Sequence, residues 1–278
     1  MQILKDIEAA RDYIHQVKKS NRKIGLTPTM GALHEGHLSL VQQSISETDI
    51  SIVSIFVNPI QFNNPADLEK YPRTLDKDME LLSKVGCHAI FSPETKEMYK
   101  SPAELSVSFG ELDKILEGAY RPGHFSGVGV VVSKLFNIIQ PDVAYFGQKD
   151  YQQYLVINRL VRDLNFPVKV VCGEIVREAN GLAMSSRNQR LLKEEKEKAS
   201  LLYKMLTQAK AQIEKKSMKE IKKEVADTLA NSDIRLEYFE LADRSNLNLL
   251  HHYEPSIPCI LLVAAYVGEV RLIDNLFV

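Results

Sequence analysis

Apolar residues recur along this chain with two periods that take turns. Over residues 3–18, Ile3, Ile7, Ala10, Ile14 and Val17 fall three or four apart, which predicts a helix. Lys23–Thr27 then reads as a short strand that Pro28 is expected to stop. A second helical pattern begins near Gly36 and carries Leu38, Val41 and Ile45. Asp49–Val57 (DISIVSIFV) follows as a nearly continuous β-branched run, as in a strand buried on both faces. The alternation repeats with a helix carrying Leu75, Met79 and Leu82, a strand at His88–Phe91, an apolar helix at Gly127–Ile139 and a strand at Val143–Phe146. A helix at Tyr151–Leu164 and a strand at Val168–Val176 complete the series. Strands separated by helices join through crossovers, so the pattern predicts an α/β fold with a doubly wound parallel sheet.

The pattern changes after about residue 177. Residues 189–230 are rich in Lys, Glu, Leu and Ala, with Leu201, Met205 and Ile213 on one side; strands follow at Ile234–Leu241 and Ile260–Val267. Val267-Gly268-Glu269-Val270 reads as a tight turn into a last strand at Arg271–Ile273. The expected division is therefore 1–176 and 177–278, the second part a smaller C-terminal α+β domain. The lysines between Lys193 and Lys223 suggest an RNA-binding face, but glutamates interleave with them at helical spacing, which favours a solvated helix face.

Composition narrows the function classes. With 278 residues, 45% of them apolar, there is material for a substantial core and two units. The 35 basic and 36 acidic residues balance, so nothing in the bulk charge supports nucleic-acid binding, and any anion site has to be local. Cys87, Cys172 and Cys259 lie far apart without C-x-x-C spacing, which argues against zinc and a disulfide framework and fits a reducing cytoplasm. No run approaches the roughly 18 apolar residues of a spanning helix. The N-terminal MQILKDIEAARDYIHQVKKS lacks a signal peptide's apolar core, so neither membrane insertion nor export is expected.

Candidate chemistry gathers just after the predicted strands, where open α/β sheets bind ligands. Thr27–Leu40 reads TPTMGALHEGHLSL, and its H-x-G-H differs by one residue from the zinc-binding H-E-x-x-H, which disfavours a metal. A phosphate cradle is the alternative. Gly31 and Gly36 allow close backbone approach, a helix N-terminus offers N–H groups, and His34 and His37 face developing charge. An ordinary strand-to-helix loop with two surface histidines also fits. Phe146–Gln153 (FGQKDYQQ) puts Lys149 and Asp150 at another strand end, and Asn58-Pro59-Ile60-Gln61-Phe62 offers the neutral Gln61 amide at a third. Met184-Ser185-Ser186-Arg187 joins two hydroxyls to a guanidinium, suited to polyphosphate, although either serine also suits the N-cap of the following helix. Arg121–Gly127 (RPGHFSG) either binds phosphate or shapes its loop.

In chain order, PTMGALHEGH (28–37), FVNPIQF (56–62), YPRTLDKD (71–78), RPGHFSGV (121–128), PDVAYFGQKDYQQ (141–153) and REANGLAMSSRN (177–188) form a joint pattern. It resembles the pantothenate synthetase (pantoate:β-alanine ligase) family of the HIGH-type nucleotidyltransferase superfamily. The resemblance implies a Rossmann-like ATP/pantoate-binding domain at 1–176, a C-terminal lid domain at 177–278 carrying the MSSR loop, and a cytoplasmic homodimer. It implies condensation of (R)-pantoate with β-alanine through a pantoyl adenylate, consuming ATP and releasing AMP and pyrophosphate. By the same resemblance, Met30, Gly31, Ala32, Leu33, His34, Glu35, Gly36 and His37 form an ATP loop, with His37 the proton donor and His34 its neighbour in charge stabilisation. Gly147, Gln148, Lys149 and Asp150 also bind ATP, Lys149 toward the phosphates and Asp150 toward the ribose. Val176 meets adenine through its backbone, and Met184, Ser185, Ser186 and Arg187 stand where the superfamily has its KMSKS loop. Gln61 and Gln153 hold pantoate, Gln61 also facing β-alanine, with Asn58 and Tyr71 near the pocket mouth. No protein metal site is expected, Mg²⁺ arriving with ATP. Two other readings remain: a nucleotidyltransferase that keeps the nucleotide on its product, and a non-catalytic nucleotide- or RNA-binding regulator.

Overall fold

A computed structural model describes residues 1–278, which fall into two compact units. One comprises Met1–Gly147 with Gln152–Gly173, the other Gln148–Tyr151 with Glu174–Val278.

The first unit is built on six parallel strands: β1 (Gln2–Leu4), β2 (Ile24–Thr29), β3 (Ile50–Ile55), β4 (Ala89–Phe91), β5 (Val143–Gly147) and β6 (Lys169–Gly173). Their order across the sheet is β1-β4-β3-β2-β5-β6, the doubly wound parallel arrangement that the alternating pattern predicts. Its helices are α1 (Ile7–Lys19), α2 (Glu35–Glu47), α3 (Pro65–Glu69), α4 (Leu75–Lys84), α5 (Thr95–Met98), α6 (Glu117–Tyr120), α7 (His124–Ile139) and most of α8 (Tyr151–Asp163). All six residues of β3 are buried, as an apolar run without alternation requires. Starting at β2, the chain steps outward through β3 and β4 and then returns to the other side of β2 for β5. The carboxyl ends of β2 and β5 therefore flank the switch point, where such sheets bind ligands.

Two sequence expectations need correction. The helix expected over 3–18 starts only at Ile7, where Asp6 caps it by accepting from the Ala9 N–H at 2.7 Å. Residues 2–4 instead pair with β4 as an edge strand, leaving Ile3 43% exposed; an isolated turn of apolar spacing does not distinguish the two. Pro28 does not end β2, which runs on to Thr29 in register with β3, Pro28 opposite Ser54. The ladder to β5 spans only Gly25 and Leu26, so the missing proline N–H falls where β2 has one open side.

The second unit packs α9 (Lys193–Ala199), α10 (Leu201–Gln212) and α11 (Met218–Ala230) on an antiparallel sheet ordered β7 (Ile234–Asp243), β8 (Cys259–Val267), β9 (Val270–Phe277). Its core includes Leu202, Leu206, Ile221, Val225, Phe239, Leu261 and Val263. The predicted turn is the two-residue Gly268-Glu269 link between Val267 and Val270, but β9 extends well beyond Ile273. Lysines of the 193–223 tract pair with acids, Lys198 with Asp233 at 2.9 Å, Lys216 with Glu224 at 2.5 Å and Lys222 with Glu240, as a solvated helix face does. No helix is long and apolar enough to cross a membrane.

Candidate active site

In the first unit β2 ends at Thr29 and the chain turns through Met30–Leu33 into α2. Gly31 has φ +80°, and Ala32 adopts φ +50°, a left-handed conformation that costs a non-glycine residue about 1 kcal/mol or more. The contact that holds this corner is the buried carboxylate of Asp78 on α4. Its Oδ2 accepts from the Ala32 N–H at 2.9 Å, its Oδ1 from the Leu33 N–H at 2.8 Å and from the Thr74 hydroxyl at 3.2 Å. A side chain on Gly31 would meet Asp78 Oδ2 at 3.0 Å. Ala32 and Leu33 are thus buried, their amides turned to Asp78, and the exposed part of the loop narrows to its two ends.

His34 is the N-cap of α2 but does not cap it with its side chain. Its ring instead lies against that of His37, with centroids 4.0 Å apart and planes 37° apart, on the first turn of the helix. The helix dipole and first-turn N–H groups suit an anion there.

After β3, the 3₁₀ turn Pro59–Gln61 carries Gln61, which is 7% exposed. Gln61 Nε2 contacts Met30 Sδ at 3.3 Å, and its Oε1 accepts from Asn58 Nδ2 at 3.0 Å. Asn58 is 1% exposed: Nδ2 also donates to Gly127 O at 3.2 Å, and Oδ1 accepts from the Tyr99 hydroxyl at 2.8 Å. Asn58 therefore supports Gln61 from beneath instead of lying near a pocket mouth, and Tyr71 is likewise buried, edge-on to Phe62 at 5.8 Å.

The Arg121–Gly127 segment now has a physical role. His124 Nδ1 lies 2.8 Å from Gln61 O, and Arg121 Nη1 lies 3.1 Å from His124 Nε2. A carbonyl only accepts and a guanidinium only donates, so His124 carries its proton on Nδ1 and donates it to Gln61 O. Gly127 faces the same turn: a Cβ there would stand 2.5 Å from Ile60 O and 2.7 Å from Gln61 Cα. Replacing Gly127 by alanine is expected to cost about 1–3 kcal/mol by overpacking. A urea melt will read that loss; an unchanged midpoint would show that α7 does not press on the Gln61 turn.

On α8 the two adjacent glutamines separate. Gln152 is 3% exposed and structural, accepting from Glu117 N at 3.0 Å and donating to Leu112 O at 2.8 Å and Ile115 O at 2.9 Å. Gln153, by contrast, is partly exposed and makes none of these bonds.

In the second unit, Gln148–Asp150 forms a 3₁₀ turn whose backbone is held by Asn275: Nδ2 donates to Gln148 O at 2.9 Å and Lys149 O at 3.0 Å. Lys149 Nζ lies 3.8 Å from Asp150 Oδ2. Val176–Met184 is a narrow hairpin: Met184 N donates to Val176 O at 3.0 Å, and Gly181 turns it at φ +93°. Arg177 in this hairpin forms a bidentate pair with Asp274, at 2.6 and 3.0 Å, and stacks on Tyr203. Burial pushes the Asp274 carboxyl up while the Arg177 ion pair pulls it down. Ser185 caps the 3₁₀ turn Ser186–Arg190, accepting from Arg187 N at 3.3 Å, so it does not cap the long helix that follows. Asn188 ties this turn to the hairpin through Glu178 at 2.8 Å and Ala183 O at 3.1 Å.

A model of the family described as Pantoate-beta-alanine ligase matches residues 2–277. The chain belongs to this family. It is a carbon–nitrogen ligase, and the family's name gives the two molecules that are joined, pantoate and β-alanine. Among relatives, the pantothenate synthetase of Cytophaga hutchinsonii is 45% identical over 280 residues, covering 98% of this chain and 97% of its own. The crystal structure of pantothenate synthetase from Thermus thermophilus superposes with a TM-score of 0.91 at 40% identity, covering 99% of each chain. That of pantoate-beta-alanine ligase from Francisella tularensis, complexed with beta-gamma ATP and beta-alanine, gives 0.85 at 36%, covering 100% of this chain and 97% of its own.

Asp78 and Asn275 are supporting residues that sequence reasoning passed over, and His124 lies in the RPGHFSG segment, for which the sequence left two roles open. The signal for Asp78 lay in TLDKD, where a helix places an aspartate on its buried side; nothing in LIDNLF marks Asn275.

Proposed function

We propose that the enzyme condenses (R)-pantoate with β-alanine at the expense of ATP, by way of pantoyl adenylate. A carboxylate is a poor acylating agent, so a pantoate carboxylate oxygen first attacks the α-phosphorus of ATP and pyrophosphate leaves. The β-alanine amine then attacks the acyl carbon, loses a proton, and AMP leaves as a stabilised phosphate. The observation that carries this reading is the Met30–Gln61–Asn58 cluster: a neutral amide fixed by buried partners beside the loop that leads into the His34/His37 helix terminus at the switch point. A fixed, uncharged amide suits a hydroxy acid, and a helix N-terminus suits phosphate. The Francisella protein's complex with beta-gamma ATP and beta-alanine lends support.

In this reading the Met30–His37 loop, through its exposed ends, and Gly147–Asp150 bind ATP, Ala32 and Leu33 shaping the loop from within; His34 and His37 stabilise charge as the α-phosphorus is attacked, and His37 donates a proton. Lys149 and Arg187 draw charge from the departing pyrophosphate, Ser185 and Ser186 hydrogen-bond its oxygens, and Val176 offers adenine its backbone. Gln61 and Gln153 hold pantoate, and Gln61 also meets β-alanine. Residues 1–176 bind ATP and pantoate while residues 177–278 serve as the lid that carries the MSSR segment, in a cytoplasmic homodimer as the resemblance implies. Imidazoles, amides and cations are poor ligands for Mg²⁺, and no group of three or more His, Cys, Asp or Glu stands ready to hold one. In this reading a magnesium ion enters with ATP and keeps mainly phosphate oxygens and water as ligands.

Pantoate-dependent exchange of labelled pyrophosphate into ATP, with β-alanine omitted, tests the order of steps. Exchange is expected; its absence from an enzyme that still forms pantothenate would exclude a free-standing adenylate step.

A further inference from the structure

β9 is unusual in burying two consecutive polar residues, Asp274 at 4% exposure and Asn275 at 2%. Successive strand residues point to opposite faces, so one strand end serves two partners. Asp274 pairs with Arg177 in the Val176–Met184 hairpin, and the Asn275 carbonyl accepts from the same guanidinium at 3.3 Å. The Asn275 amide donates to the Gln148 and Lys149 carbonyls and accepts from Gln148 Nε2 at 3.1 Å. That makes three hydrogen bonds from one side chain to a turn far away in sequence. Gln148–Tyr151 belongs to the second unit although β5 and most of α8 on either side lie in the first.

Resting on the ATP reading above, we propose that Asn275 is a positioning residue for Lys149. With Asp274 it makes the end of β9 a shared platform that presets the Lys149 turn and the hairpin leading into Met184–Arg187. Lys149 has a flexible stem, so the place of its ammonium depends on a fixed backbone beneath it. Two successive carbonyls of the turn are held by the one buried amide, which fixes the course of the backbone from which Lys149 projects.

The test is a double-mutant cycle on ATP affinity, measured calorimetrically on the full chain. Asn275→Ala is expected to weaken ATP binding about tenfold, the size of a direct coupling between neighbours. In the Lys149→Met background the same substitution should change it by less than about twofold. A general loss of structure would weaken both backgrounds alike. Equal losses in the two backgrounds, or no loss in the first, would overturn the proposal. Asn275→Asp, isosteric and still able to accept from Gln148, replaces the alanine variant if that does not fold. A wild-type chain that binds no ATP would sink the functional reading itself, separately from the coupling.

Discussion

Replacing His37 by alanine is expected to slow pantoate-dependent pyrophosphate exchange by about 100-fold or more, with the melting temperature little changed. The scale is that of one preorganised group lost from developing charge, about 2.7 kcal/mol or more. Two features of the fold make His37 the sensitive position. It lies in the first turn of α2, where the helix dipole already favours an anion, and its ring is backed by that of His34, with centroids 4.0 Å apart. His34→Ala removes that backing but leaves a ring on the helix, so its loss should be smaller. A His37→Ala enzyme with near-normal exchange would remove the residue from the chemistry.

A loss of comparable size is expected at Asp78, which the proposed mechanism leaves away from substrate. Asp78→Ala takes the carboxylate from the Ala32 and Leu33 N–H groups in a buried corner, each at about 1–3 kcal/mol, and loosens the left-handed turn at Ala32. A loop displaced by about 1 Å at a reacting centre costs on the order of 100-fold, so kcat/KM for ATP should fall by that factor alongside a lower urea midpoint. Asp78→Asn keeps one acceptor oxygen and should sit between the two. If the alanine variant is destabilised but keeps its ATP kinetics, the corner is only a fold element and the loop's shape does not set the site.

Much of the fold was legible because a parallel sheet writes itself plainly. DISIVSIFV can only be a strand with both faces covered, and the helices between strands repeat at 3.6-residue spacing. The first strand was not legible: three residues carry no period, and only pairing to β4 decides their state. Pro28 misled because the rule that proline ends a strand assumes neighbours on both sides. The RPGHFSG segment stayed ambiguous for a related reason, since a turn-rich stretch shows what its backbone can do and not which carbonyl its histidine will meet.

The sequence by itself determined the α/β class, the family and the loops proposed to carry chemistry. Each rests on residue type and spacing over short range, which local physics constrains. Only the tertiary structure decided what holds those loops in place. Asp78 clamps Ala32 and Leu33 from 45 residues or more away, His124 reaches Gln61 over 63, and Asn275 holds Lys149 over 126. Such contacts join backbone amides and carbonyls, which every residue possesses, to buried side chains, so no residue type or spacing announces them. They exist because a buried polar group has to find a partner, and which one it finds depends on where the chain brings it.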